Sequence, residues 1–365
     1  MKRTMLVSAI LAAVLIAALP AIASAGKDCS FTGWKNGFQI VDETGNYSFL
    51  FTGGMQQRLQ VYMPEVGEEK PELSVEKARI IFKGSVVDPR LKYYFQYELS
   101  NATTTQVKLL HARLDYEFAD EFQLRAGRQK TGYSRGYLTG WMKRLTPDVS
   151  IVTGEFSLKF DTGLKAVGSF QDHLVEYEVG AWNGNGGSAR VNDDTNFLYA
   201  GKVLLHPLGA LACDETGLAK PEDPLLSIGG KFYLNKTDAT TTDPVTDMTG
   251  FGGEAVFNWR KVIAQAEYFS RKTEPDGGAE STDNGFYVQA AVFPIPTAEK
   301  VQLFGRFSTI DYEGDPEDTE ITAGANYYFH KNNWKASASF STVTEDDGQN
   351  EVTNDKFVVQ MQIFL

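Results

Sequence analysis

The stretch LKYYFQYEL, residues 91–99, puts Leu91, Tyr93, Phe95, Tyr97 and Leu99 on one side of an extended chain and Lys92, Tyr94, Gln96 and Glu98 on the other. Side chains of a strand point alternately to its two faces, so this two-residue period means a strand whose sides meet different surroundings. The closing stretch KFVVQMQIFL, residues 356–365, repeats the pattern: Phe357, Val359, Met361, Ile363 and Leu365 oppose Lys356, Val358, Gln360, Gln362 and Phe364. A strand of this kind at the end of a chain needs a partner for its free edge, and a closed barrel supplies one in the first strand.

The same reading gives sixteen candidate strands, at 47–62, 74–84, 91–100, 106–118, 121–130, 156–170, 174–183, 195–206, 224–235, 249–260, 261–271, 284–293, 300–308, 319–329, 334–342 and 355–365. Their connections alternate in length. Residues 119–120, 171–173 and 260–261 are short, whereas 63–73, 131–155, 236–248, 272–283, 309–318 and 343–354 are long. Short periplasmic turns and long outer loops give this rhythm in an antiparallel transmembrane β-barrel of an outer membrane. Residues 207–223, PLGALACDETGLAKPED, break it by being long on the short side.

The start of the chain carries Lys2 and Arg3, an apolar run from Met5 to Leu19, and small residues at Ala23, Ser24 and Ala25. This is an export signal over residues 1–25. A periplasmic segment is then expected at 26–46, and the barrel at 47–365. Without Lys2 and Arg3 the chain has 33 basic and 47 acidic residues, which argues against nucleic-acid binding. No other segment has the 18 or so continuous apolar residues of a membrane helix. A closed barrel is therefore the way such a chain would span a bilayer. Outer-membrane lipid and lipopolysaccharide are then its surroundings.

Cys29 and Cys213 follow an oxidising route and fall on the periplasmic side of this topology, which allows a bridge. Sequence does not fix their separation, so paired and unpaired cysteines both remain open.

A barrel of this many strands is too wide for its own side chains to fill, so the apolar face meets lipid and the polar face is a wet lumen. Aromatic residues near apolar-face strand ends, among them Tyr116, Phe118, Phe122, Trp259, Phe269, Phe329 and Trp334, suggest interfacial girdles. The lumen face then carries Arg58, Lys77, Arg79, Lys83, Lys92, Arg113, Arg125, Lys159, Lys165, Lys202, Lys231, Arg260, Arg271, Arg306, Lys335 and Lys356. Nine acidic residues share it: Glu98, Asp115, Glu117, Asp161, Glu176, Glu178, Glu254, Glu267 and Glu320. Cations in a confined pore concentrate anions, and arginine forks suit phosphate oxygens. Any wet wall also needs charges, so selective and unselective pores both fit. The third outer loop contains Trp141, Met142, Leu145 and Ile151, which water would waste. It is expected to fold inward and carry Lys143 and Arg144 to a constriction.

Motifs of catalysis are weak here. GYSRG at 132–136 has the G-x-S-x-G form, but that elbow requires a strand, turn and helix in a parallel sheet. His111, His173, His206 and His330 have no metal-ligand spacing, and His111 is expected on the solvated lumen wall. No cofactor is implied.

SVEKARIIFKGSV, DPRLKYYFQYEL and VKLLHARLDYEFADEFQLRAGRQKTGYSRGYLT, followed by FDTGLKAVGSF, GAWNGNG, GFYVQAAVF and LFGRFS, resemble the phosphate-selective porin O and P family. The resemblance covers nearly all of the mature chain. It implies a homotrimer of sixteen-stranded barrels passing small anions, in some members preferring phosphate, with Arg79, Arg113, Arg125 and Arg306 in the matching strand motifs. Two departures are Leu365, where the family usually ends on an aromatic residue, and the long stretch 207–223. A general or weakly cation-preferring porin is the alternative. A barrel enzyme would need partners around Ser134 or His111, and an adhesin would need longer loops.

Overall fold

The computed structural model describes residues 29–34, 37–102, 106–184, 186, 192, 194–238, 245–295, 299–313, 317–346 and 350–365. The proposed export signal and the side chain of Cys29 lie outside the described residues.

Sixteen antiparallel strands close into one barrel. They are β3 (Ser48–Met63), β4 (Lys70–Val86), β5 (Asp88–Asn101), β6 (Lys108–Ala119), β7 (Phe122–Lys130), β8 (Phe160–Phe170), β9 (Val175–Trp182), β10 (Leu198–Leu205), β11 (Leu225–Thr237), β12 (Thr246–Trp259), β13 (Val262–Pro275), β14 (Ser281–Val292), β15 (Val301–Asp311), β16 (Asp318–His330), β17 (Trp334–Asp346) and β18 (Glu351–Phe364). Each pairs with its sequence neighbour, and β18 closes on β3 from Asp355 opposite Met63 to Phe364 opposite Gly54. Closure leaves every ladder group a partner, which a bilayer demands because it offers no water to an open edge.

Two shorter strands precede the barrel, β1 (Cys29–Trp34) and β2 (Phe38–Asp42). β18 ends opposite Gly54, so the lowest part of β3 lies beyond its reach. β2 takes that place, pairing Phe38 with Phe51 and Val41 with Ser48, and β1 pairs with β2. Neither shows in the alternation of the sequence, because both are short and lie outside the barrel repeat.

The alternation runs inside out. On β18, Val358, Gln360 and Gln362 are buried toward the lumen, while Phe357, Val359, Met361 and Ile363 are exposed on the lipid side. Aromatics ring the periplasmic edge: Tyr116 meets Phe118 at 4.6 Å, Phe118 meets Phe122 at 5.3 Å, and Phe329 stacks on Trp334 at 4.4 Å. Phe269 is a correction. It is fully buried on the lumen face, because it shares parity with Glu267 and Arg271 and packs under the third outer loop.

Several ladders climb higher than periodicity suggested. β12 and β13 pair as far as Thr246 opposite Pro275, and β17 and β18 as far as Asp346 opposite Glu351. Threonines at 246, 249, 273, 344 and 353 favour extended backbone there, so polar segments expected as loop continue the strands. The wall is lowest at β7, β9 and β10, which have 9, 8 and 8 residues against 17 in β4.

The facing assignment predicts an asymmetry in tolerance. Val288 lies in the lipid-facing band, so Val288→Lys should destabilise the barrel by about 2–4 kcal/mol. The same change at lumen-facing Gln123 should be nearly silent. Urea unfolding in lipid vesicles reads both, and equal costs would refute the assignment.

Candidate functional site

The third outer loop joins β7 to β8 through two short helices, α1 (Arg135–Leu138) and α2 (Ile151–Phe156). Ser134 and Ser150 cap them, accepting from the backbone N–H groups of Tyr137 and Thr153. Short helices leave most of their first N–H groups without internal acceptors. Carboxylates on the far wall supply them. Glu267 on β13 accepts from Arg135 N and Gly136 N at 2.8 Å each, from Ser134 Oγ at 3.2 Å and from Tyr287 Oη at 2.7 Å. Glu320 on β16 accepts from Ile151 N at 3.2 Å.

Each docking carboxylate is balanced by a cation. Lys231 reaches Glu267 at 2.5 Å, both side chains being fully buried, and Arg306 reaches Glu320 at 2.7 Å. Arg306 also donates to Thr146 Oγ1 at 2.6 Å and to the carbonyls of Asp148 and Val149. Further round, Arg58 and Lys356 both reach Asp148 of the loop at 2.8 Å. Gln56 and Gln362 donate to the carbonyls of Trp141 and Met142, and Asn326 to that of Leu145. The loop thus lies against the wall from β11 round to β3. Arg58, Lys231 and Arg306, read from sequence as pore-lining, are engaged in holding it.

Apolar contacts complete the docking. Tyr133, Val152 and Phe156 pack with Tyr233, Phe269, Tyr287 and Ile310 near the outer end. Leu145 packs with Val256, Ile263, Ala291 and Phe304 nearer the periplasm. Parity arguments expect a polar lumen wall, yet these patches are apolar because they face the loop and not water.

The wall from β4 to β8 carries a second set of cations. Arg79 meets Glu98 at 3.3 Å and lies 5.4 Å from the centroid of Trp141. Arg113 meets Asp115 at 2.9 Å and lies over Tyr94 at 4.8 Å. Lys165 meets Glu178 at 2.6 Å. Arg125, directly opposite both Asp115 and Lys165 in the ladders, bonds to Gln123 and makes no ion pair among the described residues. Gly127 gives this arc its shape: at φ +119° its missing Cβ would lie 2.2 Å from the carbonyl oxygen of Ala112. A side chain there would collide with the β6 backbone beside Arg113.

Other expected residues fall elsewhere. Lys143 is exposed on the loop, and Arg144 beside it is half-buried without an ion pair among the described residues. Lys83 is exposed on β4 opposite Tyr94. Lys159 is corrected from strand to a left-handed loop position just ahead of β8, with φ 56°, because α2 occupies residues assigned to the strand. Arg260 is likewise a turn residue, at φ 51° and 5.2 Å from the ring of Trp259. His111 is buried, not solvated, wedged edge-on between Tyr94 and Phe160 at 5.0 Å from each. Ser134 Oγ, in the elbow-like motif, serves as helix cap and donor to Glu267. Cys213 is unbridged among the described residues, and the side chain of Cys29, its expected partner, lies outside them.

Lys130 was missed. It has lipid-face parity but ends β7, where the chain turns inward, and its amine donates to the carbonyls of Tyr137, Leu138 and Thr139 at the end of α1. A cation there complements the helix dipole. Arg79 and Arg144 lie within electrostatic reach of each other and of both Lys77 and Lys130.

Removing an anchor should loosen the loop. Arg306→Ala deletes its bonds to the loop and strands Glu320, at a cost of about 3 kcal/mol. Single-channel recordings should then show larger and noisier conductance, whereas parent-like currents would mean the loop is held without Arg306.

The chain matches the family model described as phosphate-selective porin O and P over residues 51–364. It is 25% identical over 288 residues to an uncharacterized protein of Aquifex aeolicus (strain VF5), covering 71% of this chain and 68% of that one. Its structure is similar to the outer membrane channel DcaP of Acinetobacter baumannii, with TM-score 0.64 at 9% identity over 89% of this chain and 99% of that one. It is similar also to an anion-selective porin from Comamonas acidovorans, with TM-score 0.61 at 12% identity over 87% of this chain and all 100% of that one. At such identities the likeness speaks for the fold alone. With a family match spanning the closed barrel from its first strand to its last, the chain belongs to the phosphate-selective porin O and P family, channels of the Gram-negative outer membrane.

Proposed function

We propose that this channel favours small anions, inorganic phosphate among them. The observation that carries the reading is how the lumen charges are partitioned. Carboxylates neutralise Arg58, Lys231 and Arg306 under the loop and balance Arg79, Arg113 and Lys165 on the facing wall. Arg125, Lys143 and Arg144, with Lys83 toward the periplasm, make no ion pair among the described residues. An excess of cations in a narrow aqueous path raises the local concentration of anions. Arginine forks add two-point contacts to phosphate oxygens.

A weakly cation-preferring pore is the second reading, favoured by the exposed Glu68, Glu69 and Glu72 at the outer mouth. We further infer a homotrimer. The low, apolar outer wall from β6 to β10, with Leu114, Phe118, Leu164 and Val179 exposed, suits packing against copies, and OmpT of Vibrio cholerae, a structural neighbour, has a form described as a trimer.

The deciding measurement is the zero-current potential of the purified protein in a planar bilayer under a potassium chloride gradient, repeated with phosphate. The expected sign is anionic, with phosphate lowering chloride current. Arg125→Glu should reduce the anion-to-cation permeability ratio about twofold or more, and Arg113→Glu should act in the same direction. A cationic sign in the parent channel would favour the acidic mouth over the basic path.

A further inference from the structure

The connection between β10 and β11, residues 206–224, belongs to the periplasmic side, where its ends meet neighbouring turns, yet residues 211–216 make their contacts inside the barrel. Leu211 joins the apolar patch of Leu145, Val256, Ile263, Ala291 and Phe304. Gln302 on β15 donates to the carbonyl of Thr216 at 2.6 Å, and Asn332 from the β16–β17 turn donates to Asp214 and Thr216. The segment holds its own bend, with Asp214 accepting from the N–H and hydroxyl of Thr216 and Gly217 at φ +63°. It is anchored to the wall on one side.

On its other side it meets the third outer loop. The Glu215 N–H donates to the carbonyl of Lys143 at 3.2 Å, and the Glu215 carboxylate accepts from the N–H of Leu145 at 3.0 Å. These two bonds bracket Arg144, whose own carbonyl accepts from Lys335 at 2.7 Å. Three consecutive loop residues are thereby fixed through their backbones, and Leu145 is turned to the wall. Lys143 remains exposed. Arg135 donates to the carbonyl of Ala212 at 2.8 Å, and Thr139 Oγ1 lies 3.4 Å from Cys213 Sγ. Cys213 is exposed, although its neighbours Arg135 and Thr139 are buried inside the barrel. An exposed group among lumen residues borders the water path.

We infer that residues 206–224 form an inner jaw of the constriction, with Glu215 the positioning residue that aims Lys143 and Arg144 into the water path. The inference rests on reading those two cations as constriction residues. The passage is then bounded by segments from both sides of the membrane, and its charge depends on their junction. Glu215 touches no passing ion itself; it acts through the loop backbone.

Cys213 reports on the jaw. In a Cys29→Ser channel it is the sole thiol, and a methanethiosulfonate reagent would form a mixed disulfide on it with release of methanesulfinate. An anionic sulfonatoethyl adduct should lower conductance and the anion-to-cation permeability ratio. A trimethylammonioethyl adduct should lower conductance while sparing the ratio, and the Cys29→Ser, Cys213→Ser channel should respond to neither. An adduct seen by mass spectrometry without a change in current, or no adduct at all, overturns the inference. Glu215→Ala should raise open-channel noise and shift the permeability ratio, and Glu215→Gln, which keeps an oxygen acceptor for Leu145, should stay near the parent. Equal behaviour of the two variants overturns the positioning role. A parent channel without anion preference would refute the anion reading, while adduct-dependent block would still place the jaw in the path.

Discussion

The carboxylate of Glu267, buried at the start of α1, is the interaction on which the docking of the third outer loop depends. A sixteen-stranded wall cannot fill its own interior, so whatever restricts the lumen must be held there by the wall. Glu267 does this with four donors from the loop and its neighbour Tyr287, and Lys231 neutralises the charge that burial would otherwise penalise. Glu320 and Arg306 repeat the arrangement at α2. In both cases an anion meets the N-terminus of a helix too short to satisfy its own backbone.

This arrangement divides the wall. From β11 round to β3, charged residues face the loop and are consumed in holding it. From β4 to β8, no helix N-terminus is docked, and cations are paired along the strands or left without carboxylates. A simple count of basic and acidic residues merges these populations. On the proposed reading, the field felt by a passing ion comes mainly from the second arc and from the exposed face of the loop, because paired charges nearly cancel at a distance.

Sequence made the strands legible because lipid and water impose a period of two on every one of them. It also singled out Trp141, Met142 and Leu145 as residues needing cover, and each is buried. Parity says which face a residue occupies but not what stands opposite. Arg306 and Arg125 look alike in sequence, yet one is locked to residues 146–149 and the other is not ion-paired among the described residues. Phe269 and Val256 look misplaced on a polar wall until the segments covering them are seen. Residues 206–224 stood out only by length; their contacts with residues 135–145 cross about 70 positions of chain, a separation that local pattern cannot read.

Those apolar patches also explain why inward folding is favourable at both ends of the lumen. Burying an aliphatic or aromatic side chain contributes about 1.5–3 kcal/mol relative to leaving it in water. Val256, Ile263 and Phe304 would face a wet lumen without Leu145 and Leu211, and these come from opposite sides of the membrane. Neither segment alone supplies both covering residues. The apolar patch therefore favours the two arriving together, and their meeting point is where Glu215 brackets Arg144. Packing that serves the wall thus also fixes the backbone on either side of Arg144.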